Sequence, residues 1–198
     1  VESSDGTVHR EGERRQLTVL FSDIRGFTAF SETREPEEVV AMLNAYLQVQ
    51  SEVVIAHGGD IDKFVGDELM ARFSGEHHAR RATLAAVEMI EAVAQLNDER
   101  ERTTGKRIHI GIGINSGEMI LGAMGSEQRM DFTVIGDAVN LGARLCSVAA
   151  RGEVITSQFS RELAGDMESL AFTPREAVQV KGKSDPIEIF EVIRRERS

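Results

Sequence analysis

The chain has 198 residues, enough for one domain with a sizeable core, or for one domain with extensions. Hydrophobic residues make up 41% and charged residues 28%, ordinary usage for a soluble globular protein. Lys plus Arg number 23 against 33 Asp plus Glu, a formal net charge of −10; this argues against a nonspecific nucleic-acid binder but leaves room for an anionic small ligand met by metal ions and a few cations.

Residues 1–14 are polar and aperiodic and read as a linker from an upstream regulatory region. One domain is expected over 15–194, with 195–198 as a tail. No signal peptide is visible, and no apolar run is expected to reach transmembrane length. The single Cys146 excludes an intrachain disulfide, which fits a reducing cytosol. The domain is therefore expected in the cytoplasm, whether or not a parent protein is tethered to a membrane.

The first strand is written in Leu17, Val19 and Phe21, which alternate onto one face. Asp23 is the next residue on that face, and Gly26 ends the strand. A short helix is expected over 27–33. A longer one follows from Pro36 to about His57, with Glu37 and Glu38 in its first turn. Residues 59–73 read as two short strands joined near Gly66, and 76–103 as a long helix. Ile108, Ile110, Ile112 and Ile114 alternate as a strand. A turn is expected at Gly117, with a returning strand over 119–122 and another over 132–135. Asp137 then reads as the N-cap of a helix reaching about Ala150. A strand over 153–156, a short helix over 157–163 and a pair of strands over 171–180 and 187–193 complete one α+β domain.

Four constellations carry chemistry. Asp23 and Asp67 each lie where a strand meets a turn, and two such carboxylates suit a hard divalent cation. Each alone is equally at home as a turn residue, and spacing does not show that they meet. Lys63 shares an expected strand face with Ile61 and Val65, while Asp60, Asp62 and Phe64 face the other way. It is either a buried donor in want of a partner or a side chain snorkelling to water. Asn140 and Arg144, four apart on a helix, project from one face. They suit either a sugar and a phosphate or a solvated polar surface. Lys181 and Lys183 flank Gly182 in a turn that would clamp phosphates or simply cap a hairpin. No P-loop, GxSxG or HExxH pattern is present.

Five segments taken together resemble the catalytic domain of class III nucleotidyl cyclases. They are FSDIRGFT at 21–28, DKFVGDELMARF at 62–73, GIGINSGEMILGAMGS at 111–126, DFTVIGDAVNLGARL at 131–145 and VKGKSDPIEIFEV at 180–192. The resemblance implies a ferredoxin-like βαββαβ palm core with extra C-terminal strands, working as a head-to-tail homodimer with shared sites. It implies two Mg²⁺ or Mn²⁺ ions on Asp23, Asp67 and the Ile24 carbonyl. It implies Lys63 and Thr133 reading the purine, Asn140 orienting the ribose, and Arg144 stabilising the transition state. Lys181 and Arg129 match phosphate contacts. Lysine and threonine suit adenine, because guanylyl cyclases of this family typically carry Glu and Cys there. The implied activity is conversion of ATP to 3′,5′-cyclic AMP and pyrophosphate. Thr133 resembles the bicarbonate-responsive subgroup, so a bicarbonate response is implied too. The alternatives are a guanylyl or dual-specificity cyclase, or an inactive nucleotide-sensing or dimerisation domain. A diguanylate cyclase is disfavoured, because Val65 and Leu69 break its GGDEF signature.

Overall fold

The structure is a computed structural model that describes residues 12–104, 107–126, 128–179 and 185–195, without the side chains of residues 102–104 and 129. Among the described residues five helices and eight strands follow one another as β1 (Glu13–Ile24), α1 (Phe27–Ser31), α2 (Pro36–Ala56), β2 (Asp60–Val65), β3 (Glu68–Phe73), α3 (His78–Thr104), β4 (Ile110–Ser126), β5 (Arg129–Ile135), α4 (Asp137–Val148), β6 (Val154–Ser157), α5 (Gln158–Ala164), β7 (Leu170–Val178) and β8 (Ile187–Arg194). One sheet runs β2-β3-β1-β4-β6-β8-β7, and β5 pairs with β4. The first four strands are antiparallel in the order β2-β3-β1-β4, the arrangement of a βαββαβ palm. Among the described residues only β4 and β6 pair in parallel.

Alternation on β1 sorts its side chains to two cores. Leu20 and Ile24 join Met42, Tyr46 and Val54 of α2 and Ala82, Ala86 and Met89 of α3 on one face. Leu17, Val19 and Phe21 face the other way, against Met119, Val134 and Cys146. With both faces covered, Leu17 to Ser22 are all buried. Asp23 continues the second face to the end of the strand, beside the C-terminal part of α4.

Three sequence expectations change here. β4 runs unbroken from Ile110 to Ser126, with no turn at Gly117. Gly117 pairs with Leu17 in the ladder, and a Cβ there would come within 2.7 Å of the Ala138 Cβ. It is a glycine because α4 approaches closely, not because the chain turns. Second, Gly136 is the N-cap of α4 and Asp137 its first residue, so Asp137 favours the helix through its charge in the first turn. Third, α2 is by length and composition apolar enough to cross a membrane. Its Met42, Tyr46, Val53 and Val54 are nevertheless buried in the main core.

Candidate active site

Asp23 and Asp67 do meet. Gly66 and Asp67 form the turn between β2 and β3, which lies beside the end of β1. There the two carboxyl groups share a hydrogen bond. Burial first, then the Asp23 charge and that hydrogen bond, push the Asp67 carboxyl up to about 6. The backbone N–H groups of Asp67 and Ile24 donate to Asp67 and pull the other way. It is the N–H of Ile24 that reaches the pair here. Glu68 is also raised, by burial and then by the charges of Asp23 and Asp67.

Among the described residues Arg25 pairs with this acidic corner. Arg25 Nη1 lies 2.6 Å from Asp23 Oδ2, and Nη2 donates to the Cys146 carbonyl near the end of α4. Three carboxyl groups facing one guanidinium leave a negative surplus, which fits a divalent cation. Among the described residues no group of three His, Cys, Asp or Glu side chains makes a complete metal cage. Two carboxylates plus water and phosphate oxygens suit Mg²⁺ or Mn²⁺. Cys146 takes no part in the chemistry: burial pushes its thiol up to about 12.

A second group forms where β5 crosses the face of the sheet. Val134 anchors β5 in the Leu17, Val19 and Phe21 core, and Thr133 then touches β2. A bulge interrupts β2: Ile61 pairs with Ala71 and Lys63 with Met70, leaving Asp62 as the extra residue. This overturns the simple alternation expected there. Asp62 does not face away from Lys63; their Nζ and Oδ2 atoms are 3.5 Å apart. Thr133 Oγ1 donates to the same Oδ2 at 2.6 Å. Lys63 and Thr133 are thereby brought together on one carboxylate. Arg72 Nη1 donates to Asp62 Oδ1 at 2.7 Å, with its guanidinium over the Phe132 ring.

Asn140 and Arg144 are exposed on α4, and among the described residues nothing pairs with their side chains. Phe64, Val65, Phe132 and Ile135 are also exposed, between 48% and 59%. Arg129 lies on β5, but its side chain falls outside the description. Lys181 falls outside the described residues altogether.

Sequence reasoning missed Asp62, Arg25 and Arg72. The acid beside Lys63 was a signal, but strict alternation pointed it to the wrong side. Arg25 stands inside FSDIRGFT, and its position just after a buried strand was the clue.

The profile of the adenylate and guanylate cyclase catalytic domain matches residues 10–193. The chain belongs to that family. It is 40% identical over 185 residues to an adenylate cyclase of Anabaena cylindrica, covering 90% of this chain and 37% of that protein. It is 35% identical to adenylate cyclase 1 of Rhizobium meliloti, covering 93% of this chain and 28% of that one. The chain thus spans well under half the length of these relatives. Among solved structures, the adenylyl cyclase CyaB of P. aeruginosa superposes with a TM-score of 0.87 at 36% identity, covering 94% of this chain and 98% of that one. The guanylyl cyclase Cya2 superposes with a TM-score of 0.86 at 40% identity, covering 92% and 93%. The cyclase fold expected from the five segments is therefore this chain's fold.

Proposed function

We propose that this domain is an adenylyl cyclase, making 3′,5′-cyclic AMP and pyrophosphate from ATP. The observation that carries the choice of substrate is the meeting of Lys63 and Thr133 on Asp62. An ammonium donor and a hydroxyl acceptor match the N1 acceptor and exocyclic amine of adenine. Overall similarity does not choose between purines, since Cya2 and CyaB superpose equally well. A guanylyl or dual activity is therefore the second reading. An inactive sensing or dimerisation domain is disfavoured by the retention of Asp23, Asp67 and Arg144.

The reaction joins the ribose 3′-oxygen to the α-phosphorus and breaks the bond to the pyrophosphate oxygen. When bound at Asp23 and Asp67, Mg²⁺ or Mn²⁺ supplies Lewis-acid charge to the triphosphate and makes the 3′-hydroxyl more acidic. Asn140 orients the ribose, and Arg144 meets the charge that grows on the α-phosphoryl oxygens. Lys181 and Arg129 hold the outer phosphates. The hydroxyl proton leaves to water or to a substrate phosphate.

The exposure of Asn140 and Arg144 supports a shared site in a head-to-tail homodimer, in which they face the carboxylates of a second copy. Exposed Phe64, Val65, Phe132 and Ile135 offer apolar area for that contact. The greater length of the relatives supports a regulatory region beyond this chain. A bicarbonate response belongs to the same reading, and an unchanged rate on adding bicarbonate at constant pH would remove it. The deciding assay measures cyclic AMP and cyclic GMP from ATP and GTP with Mn²⁺. Cyclic AMP as the main product is expected; cyclic GMP as the main product would overturn the assignment, and no product from either would leave the inactive reading.

A further inference from the structure

The carboxylate that joins Lys63 to Thr133 is buried completely, with 0% of its side chain exposed. Asp62 reaches this position only because β2 bulges there, and a bulge re-aims the extra side chain. Its partners among the described residues are all donors. Arg72 occupies Oδ1 at 2.7 Å. Thr133 Oγ1 at 2.6 Å and the Lys63 ammonium at 3.5 Å share Oδ2. A carboxylate held between two cations only accepts hydrogen bonds.

That has a consequence for the threonine. A hydroxyl carries one proton and two lone pairs, and it ordinarily rotates to suit whatever it meets. Thr133 has committed its one proton to Asp62. Towards a base it presents lone pairs alone. Beside it, Lys63 presents protons alone. Adenine offers an amine to the first and the N1 lone pair to the second. Guanine offers the O6 lone pairs and an N1 proton, so each contact is mismatched.

We propose that Asp62 sets the purine preference of this site, acting through Thr133 and Lys63 as a positioning residue. By holding the hydroxyl proton it turns an ambivalent side chain into an obligate acceptor. By facing the ammonium it keeps the donor beside that acceptor. Arg72, stacked on Phe132, pins the other carboxylate oxygen and so fixes the orientation of the whole group. This rests on the assignment of Lys63 and Thr133 as the base-reading pair.

The isosteric change Asp62→Asn tests it. Arg72 can only donate, so it retains the amide oxygen, and the amide nitrogen turns to Thr133. The hydroxyl must then accept from the amide, and its proton is released towards the base, where it suits guanine O6. The ratio of kcat/KM for ATP to that for GTP is expected to fall by about 10- to 100-fold, the scale of one reversed hydrogen bond in a buried site. In a Thr133→Ala background the same change should move the ratio far less, because only the contact with Lys63 remains to carry it. A purely structural role would lower both substrates together and leave the ratio untouched. An unchanged ratio, or an equal change without the Thr133 hydroxyl, overturns the proposal. Thermal unfolding checks that each variant is folded. If the amide variant is unstable, Asp62→Ala frees the Thr133 hydroxyl to rotate, and the ratio is expected to fall in the same direction by a smaller factor. Equilibrium binding of ATP and GTP reads the ratio without turnover. A wild-type chain that makes no cyclic nucleotide would remove the cyclase reading, while its binding ratio would still judge Asp62.

Discussion

Asp67 and Asp23, one on a turn and the other at the end of a strand, bring their carboxyl groups together, and burial with the neighbouring charge pushes Asp67 up to about 6. Such a pair binds a proton and a divalent cation in competition. Mn²⁺ affinity is therefore expected to weaken as pH falls through about 6, with proton release on binding near that pH. Calorimetry in buffers of different ionisation enthalpy measures both. Asp67→Asn should lose the proton release and nearly all Mn²⁺ affinity, and Asp23→Ala should abolish turnover while the domain stays folded. An Asp23→Ala protein of normal activity would end the metal assignment.

Shared sites make a specific prediction about mixtures. Asp67→Ala removes a carboxylate, and Arg144→Ala removes the proposed transition-state cation. Each homodimer should be inactive. A mixed dimer contains one site with both defects and one with neither. Mixing the two inactive proteins should therefore restore activity, towards about a quarter of wild type if chains pair at random. Absence of recovery, with exchange of subunits verified, would argue against sites built from two chains.

Gly113 fixes the distance between α4 and the sheet. A Cβ there would lie 2.6 Å from the Gly142 carbonyl oxygen and 2.7 Å from the Cys146 Cα, against backbone that cannot swing aside. Gly113→Ala should destabilise the domain by about 1–3 kcal/mol, the range of overpacked cores. It should also lift the helix that carries Asn140 and Arg144. Turnover is expected to fall more than nucleotide affinity, measured by comparing kcat with the binding of ATP. A variant of unchanged melting temperature and unchanged kcat would contradict this.

His78 and Asp67 tilt the pH dependence of stability in opposite directions. The His78 ring, with Nδ1 2.7 Å from Thr18 Oγ1, is held below 6.5 by burial and then by the Arg81 charge. The unfolded chain takes up that proton first, so stability is lost as pH falls below 6.5. Asp67 is raised from 3.8 to about 6, so the native state takes up its proton first and stability is lost as pH rises through about 6. Urea unfolding midpoints followed across this range should show a shallower acid-side loss in His78→Asn than in wild type. In Asp67→Asn the loss towards acid should be steeper. Curves parallel to wild type in both variants would refute the assignment.

Local alternation and punctuation made most of the elements legible in the sequence. The isoleucines from Ile108 to Ile114 and the apolar run ending in Asp23 read directly as strands, because a pleated strand presents every second residue to one side. The five cyclase segments also proposed residues for the site before any of them could be placed. Glycine was the weaker guide: Gly117 marks the approach of a helix as easily as a turn, and only the position of Ala138 distinguishes the two.

The amino-acid sequence by itself determined the family, the palm core and the chemical types available: two acids, a lysine and threonine, an asparagine and arginine. Tertiary structure decided which of them meet. Asp23 found Asp67 because β3 pairs with β1, and Asp62 found Thr133 because β5 crosses back to a bulged strand. Neither encounter has a local signature, since both depend on strand register and on where a hairpin lands. Once the bulge turns Asp62 inward, the donor or acceptor character of Thr133 follows from a single proton.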